Sequence, residues 1–269
     1  MGRQFWKMSG SGNDFIVFDV RGSQEEQLEG PEAIRKLCAR GTGVRADGVV
    51  FVATPGHSGA LLAMRYYNSD GSRGDFCGNA TLCVTRLAHE LRIAPGGGAA
   101  IETDSGVVPT RMGASGPEIE LPAVTETSAT VELRLEPGES QIGFALVGVP
   151  HLVVRCAEVE SIDVAARGRE LRNAKFRSGG ANVNFVSERD GAWSMRTYER
   201  GVEGETLACG SGAIATAILL ATWKESGDDT LLITRSGRVL TVRLRRDGAS
   251  WMPTLAGEGR IVFTGELAE

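Results

Sequence analysis

Two cysteines in this chain stand where thiols become reactive. Cys77 and Cys209 are each followed by glycine, and each Cys-Gly pair opens a run with helical character. A helix N-terminus carries unpaired N–H groups and the positive end of the helix dipole. A thiolate placed there is stabilised, so the cysteine becomes a competent base or nucleophile. The same N–H groups, near Gly78 and Asn79 and near Gly210 and Ser211, can also hold a carboxylate. A single thiol would suit nucleophilic catalysis, as in Cys-His hydrolysis. A matched pair suits something narrower. Two sulfurs flanking one carbon can remove a proton from one face and return a proton to the other, which inverts the stereocentre.

That chemistry is demanding, because the α-proton of an amino acid is very weakly acidic. Pyridoxal phosphate is the usual electron sink, but none of the four lysines (Lys7, Lys36, Lys175, Lys224) sits in a context that points to a Schiff base. A route without cofactor needs preorganised donors around the developing enediolate in a dry site, and two helix N-termini would supply them. No metal site is expected: the five cysteines include no CxxC pair. Cys38, Cys83 and Cys156 read as small buried hydrophobes. The GSGAIA run from Gly210 matches a dinucleotide fingerprint in form only, since an acidic loop and a cysteine precede it rather than a buried parallel strand.

The elements that must position these thiols are legible as a repeat. The helix after Cys77 places Ala80, Cys83, Val84, Leu87, Ala88 and Leu91 on one face, whereas GSGAIATAILLATWKES is apolar nearly all round and reads as fully buried. A further helix is predicted from Pro31 to about Arg40, with proline in its first turn. MRYYNSDGSRGDFCGN and MRTYERGVEGETLACGS each lead into a helix, and a shared TxSGxV follows, at Thr103 and Thr234. Strand, acidic glycine-rich loop, Cys-Gly, helix and hairpin thus occur twice, which predicts two pseudo-symmetric domains. Asp-Gly turns are predicted at Asp47, Asp70, Asp190 and Asp247, with a hairpin closing at Asp190-Gly191. Val131–Leu135 and Leu240–Leu244 read as strands, and the stretch around Ser115 to Val124 as the crossover between domains.

Composition agrees with a globular protein of about two domains: 269 residues, 42% hydrophobic and 23% charged. A net charge of −5 disfavours nucleic acid as a partner. The absence of a long apolar stretch disfavours a membrane span, and the start of the chain lacks the apolar core of a secretory signal, so a cytoplasmic protein is expected.

KMSGSGNDF (from Lys7), NSDGS (from Asn68), FCGN (from Phe76), GVPH (from Gly148), GANVNFV (from Gly180) and YERGVEGETLACGSG (from Tyr198) together resemble the diaminopimelate epimerase family, in its order and across nearly the whole chain. The resemblance implies a cofactor-independent epimerase that interconverts LL- and meso-2,6-diaminopimelate, on the route to lysine and peptidoglycan. It implies Cys77 as base toward the LL isomer and Cys209 as acid, with roles exchanged in reverse. It places His151 and Glu199 beside the thiols, and Asn13, Asn68, Asn182 and Arg200, with Glu199, on the substrate. It further implies a mixed α/β (α+β) fold of two pseudo-symmetric domains, each a mainly antiparallel sheet curled round a central helix. One domain would be 1–118 with 258–269, the other 119–257, and the protein would be a homodimer. The chain departs from the family pattern at Val149, where asparagine is frequent, at Gly48, where a glutamine ligand often stands, and at Ala80, Thr81 and Leu82. The alternatives are another amino-acid racemase of the same fold, such as one for histidine, and a non-enzymatic thiol sensor.

Overall fold

A computed structural model describes residues 3–22, 28–94 and 98–268. The outer ends of the first expected domain, at residues 1 and 269, lie outside them. The fold is mixed α/β and falls into two compact units, Met1–Glu120 with Ala256–Glu269, and Leu121–Leu255.

The first unit runs β1 (Arg3–Gly10), β2 (Asn13–Asp19), α1 (Pro31–Cys38), β3 (Gly48–Ala53), β4 (Leu62–Asn68), β5 (Arg73–Gly74), α2 (Gly78–Glu90), β6 (Gly98–Thr103), β7 (Gly106–Gly113) and β8 (Gly116–Glu120). The second runs β9 (Thr127–Ser128), β10 (Glu139–Val147), β11 (Val149–Cys156), α3 (Val164–Arg172), β12 (Asn182–Arg189), β13 (Ala192–Glu199), β14 (Gly204–Thr206), α4 (Gly210–Thr222), β15 (Asp229–Ile233), β16 (Val239–Asp247) and β17 (Ser250–Ala256). The last strand, β18 (Arg260–Leu267), returns to pair antiparallel with β1.

Each unit repeats one topology. β1 and β2 are antiparallel, β2 and β3 parallel through α1, β3 and β4 antiparallel, and β4 pairs parallel with β6 after α2. The series β10, β11, β12, β13, β15, with α3 and α4 in the same places, has the same senses. Because strand side chains alternate, the strands of each unit feed two cores. Phe15, Val17, Val50 and Val52 pack with Ala80, Cys83, Val84 and Leu87 of α2, while Ile16, Phe18, Val49 and Phe51 pack with Ile34 and Leu37 of α1. In the second unit Leu152, Val154, Val183 and Phe185 pack toward α3. The alternate residues His151, Val153, Asn184 and Val186 are buried on the opposite face. Residues Gly212 to Leu220 of α4 are buried without a break, as the all-round apolar pattern requires.

Several sequence expectations change in detail. Asp190 and Gly191, at φ 53° and 77°, do close the β12–β13 hairpin. Asp47-Gly48 is not a hairpin turn, because β2 and β3 are parallel and Gly48 opens β3. Residues 116–120 of the expected crossover form β8, paired with β7. Val131–Leu135 is not a strand: Val131 donates one backbone hydrogen bond to Ile142, and Val131 and Leu133 serve as packing against the core. The helix from Pro31 stops at Cys38, and α3 was not anticipated.

Candidate active site

Both candidate thiols sit at one backbone position. Cys77 is the N-cap of α2 at φ −143°, ψ 112°, and Cys209 the N-cap of α4 at φ −138°, ψ 109°. Neither helix carries an acidic residue in its first turn, so the positive helix ends remain unneutralised from within. Gly78 and Asn79, and Gly210 and Ser211, are the leading residues of these helices, as expected from sequence. Their first-turn N–H groups are the donors that a helix leaves unpaired. None of the five cysteines is in a disulfide. Cys77 is partly exposed, and Cys209 is buried with its Sγ 3.6 Å from Ser211 Oγ.

In the first unit the tight turn Ser11-Gly12, with φ 53° and 110°, delivers Asn13 to the start of β2. Asn13 Nδ2 donates to Asp47 Oδ2 at 3.0 Å. A carboxylate only accepts, so the Asn13 amide is fixed, and its Oδ1 takes a hydrogen bond from Asn79 Nδ2 at 2.7 Å. That leaves the buried Asn79 Oδ1 as an acceptor with no protein partner among the described residues. Such an acceptor suits an ammonium group. Lys7, itself buried, pairs with Asp14 at 2.7 Å, and Asp47 N donates to Asp14 Oδ1, so the asparagine pair is backed by a charged network.

Asn68 ends β4, accepts from Tyr66 Oη at 2.8 Å and donates to Ser72 Oγ at 3.0 Å. No hydrogen bond joins it to Asn13 or Asn79 among those described. A Cβ on Gly48 would lie 2.6 Å from both the Tyr66 ring and the Tyr67 carbonyl oxygen. The position where the family often carries glutamine is therefore closed to any side chain here. Ala80, Thr81 and Leu82 are all fully buried, and Thr81 Oγ1 donates to the Cys77 carbonyl at 2.8 Å. These departures build the helix behind the thiol. Val149 opens β11 directly after Gly148, whose φ is 67°.

In the second unit Asn182 Oδ1 accepts from the Arg200 backbone N–H at 2.7 Å, joining two of the expected substrate ligands. Glu199 ends β13, next to Arg200 in sequence. His151 is completely buried. Burial, and then the charge of Arg200, depress its pKa to about 3, so the imidazole is neutral at any working pH. Its Nδ1 lies 3.2 Å from Asn184 Nδ2, and its Nε2 has no protein partner among the described residues.

Asn184 and its neighbour Thr197 were not singled out from the sequence. The signal was there: in NVNFV, Asn184 is a polar residue two places beyond Asn182 in a strand buried on both faces. Among the described residues, no group of three or more His, Cys, Asp or Glu side chains could hold a metal, and no helix is long and apolar enough to cross a membrane.

The family model for diaminopimelate epimerase matches residues 5–129 and 143–262. The chain is 45% identical to the diaminopimelate epimerase of Gemmatimonas aurantiaca, over 98% of this chain and 99% of that one. It is 37% identical to that of Aquifex aeolicus, over 99% and 98% respectively. Among solved structures, a Bacillus anthracis protein of the PhzF phenazine-biosynthesis family superposes with a TM-score of 0.77 at 16% identity, each chain fully covered. A hydroxyproline epimerase from Agrobacterium vitis superposes at 0.70 and 18%, over 98% of this chain and 92% of that one. At these identities the two structures share the fold.

Proposed function

The chain belongs to the diaminopimelate epimerase family, and from that membership we infer that it interconverts LL- and meso-2,6-diaminopimelate, with Cys77 and Cys209 as the proton-transfer pair. The observation that carries the pair is their common position: each is the N-cap of a buried helix, with backbone angles that agree within a few degrees.

One sulfur, as thiolate, takes the α-proton. The C–H electron pair moves into the α-carboxylate as an enediolate, and the other sulfur, as thiol, returns a proton to the opposite face of the carbon. Toward the LL isomer Cys77 is the base and Cys209 the acid; the meso isomer reverses them. The leading N–H groups of α2 and α4, at Gly78 and Asn79 and at Gly210 and Ser211, hold the carboxylate as charge builds on it. His151 and Glu199 set the protonation of the thiols. Asn13, Asn68, Asn182 and Arg200 bind the substrate, chiefly its distal amino-acid end, where a guanidinium grips a carboxylate with two hydrogen bonds. The reaction draws on no cofactor in this reading. The enzyme works in the cytoplasm as a homodimer, and Val262 and Phe263 of β18, nearly half exposed, are apolar side chains such an interface would cover.

The test is turnover in D2O, followed by NMR at low conversion. With two separate thiols, deuterium from the solvent-exchanged acid appears at the α-carbon of the meso product, while recovered LL substrate stays protiated. Equal labelling of substrate and product at early times would show a single base and end the two-thiol reading. Cys77→Ser and Cys209→Ser should each lower turnover by a factor on the order of a hundred or more.

A further inference from the structure

His151, Asn184 and Thr197 form a buried polar row on the α4-facing side of three adjacent strands. β11 and β12 pair in parallel with His151 opposite Asn182, and β12 and β13 pair antiparallel with Asn184 opposite Thr197. His151 and Asn184 are inaccessible to solvent and Thr197 nearly so. The row is also pressed against the start of α4, since a Cβ on Gly212 would lie 2.3 Å from Asn184 Oδ1 and 3.2 Å from Cys209 Sγ.

The hydrogen bonds admit one assignment of protons. Asn184 Nδ2 lies 3.0 Å from the Leu152 carbonyl oxygen, which can only accept, so the amide nitrogen is on that side. Thr197 Oγ1 donates to Asn184 Oδ1 at 3.0 Å on the other side. The second N–H of the amide is then directed to His151 Nδ1 at 3.2 Å. An imidazole nitrogen that receives a hydrogen bond carries no proton of its own, so the ring proton of neutral His151 is on Nε2. That nitrogen is buried with no protein partner among the described residues.

We propose that Asn184 is a positioning residue that locks His151 as the neutral Nε2–H tautomer, so that the imidazole meets the reacting groups as a hydrogen-bond donor and not as a base. The inference rests on the reading of His151 as part of the site. Accepting a proton would have to occur at Nδ1, against the Asn184 N–H already there. A donor at Nε2 favours a thiolate over a thiol and thereby sets thiol protonation without receiving the proton. The depressed pKa of the ring has the same sense.

The test is imidazole 15N NMR on the reduced enzyme labelled at histidine. His151 is the single buried histidine of three, so comparison with His151→Gln assigns its signals. The expected spectrum has a protonated Nε2 and an unprotonated Nδ1 that do not change between pH 5 and 8. A proton on Nδ1, or on both nitrogens, overturns the proposal. Asn184→Asp places an acceptor at Nδ1 and should move the ring proton to it. The rate should then fall about a hundred-fold, through kcat with little change in KM, as for loss of one preorganised donor, and its pH profile should gain an inflection. A folded Asn184→Asp enzyme with the swapped tautomer and wild-type kcat also overturns it. Lack of epimerase activity in the wild type would fall on the functional assignment instead, and the spectrum would still decide the tautomer.

Discussion

At the scale of residues, burial separates the chain's thiols. Burial pushes Cys38 up to about 11, Cys156 to about 12 and Cys83 well above its ordinary range. The thiolate is the reacting form, so iodoacetamide on the native enzyme should modify the partly exposed Cys77 well before these three, as peptide mass mapping would show. Early labelling of Cys83 would contradict the packing. His151 carries a second prediction, whose sign follows from its pKa of about 3, lowered from the ordinary histidine value of 6.5. Between those values the unfolded chain binds the extra proton, so stability is lost as pH falls below 6.5, while above 6.5 the group adds no slope. The loss is roughly 1.4 kcal/mol per pH unit for one such group. Urea unfolding of wild type and His151→Gln at pH 7 and 5 should therefore converge by about 2 kcal/mol at the lower pH. Parallel pH dependence in the two proteins would mean that His151 is not buried as a neutral ring. These residues differ in how legible they were. Cys77 and Cys209 announced themselves by sequence context. The roles of Asn184, Asp47 and Lys7 did not, because each depends on a partner brought close only by strand pairing.

At the scale of elements, the helix starts are the parts whose geometry matters most. Replacing Gly212 by alanine within α4 would raise helix propensity by roughly 1 kcal/mol. Its Cβ would, however, lie 2.3 Å from Asn184 Oδ1, and Asn184 is held by Leu152, Thr197 and His151 and cannot swing away. Overpacking of this kind costs about 1–3 kcal/mol, so Gly212→Ala should be less stable than wild type and also less active, because Cys209 shares the contact. A gain in melting temperature with full activity would show that the first turn of α4 has room. The two helices that start at cysteines could be read from the chain because their patterns are long and strong. α3 was missed because its nine residues, VAARGRELR, combine few apolar positions with a central glycine. Val131–Leu135 looked like a strand through its alternation, yet tertiary packing used the same alternation to cover a core edge.

At the scale of the whole chain, the duplication was visible as a repeated TxSGxV and Cys-Gly spacing, and the structure gives it a physical form in two units whose strands pair in the same senses. In both units the threonine of that motif ties its hairpin, Thr103 Oγ1 to the Gly106 carbonyl and Thr234 Oγ1 to that of Arg238. What the repeat alone did not disclose was that the chain's last strand completes the first unit, since β18 has no counterpart in the repeated motif. β18 lies along β1 from Arg3↔Leu267 to Ser9↔Arg260, and Phe263 packs edge-on against Phe5 at 6.0 Å. Removing it leaves one side of β1 without its ladder and exposes an apolar edge prone to association. A chain ended after Gly259 should therefore lose amide protection in β1 and β2 and lose epimerase activity. β12 and β13, which place Val183, Phe185 and Tyr198 in the core with α3, should keep their slow hydrogen exchange. Uniform loss of protection in both units would mean that the second unit depends on β18 as well, and that the two cores are not separate sources of stability.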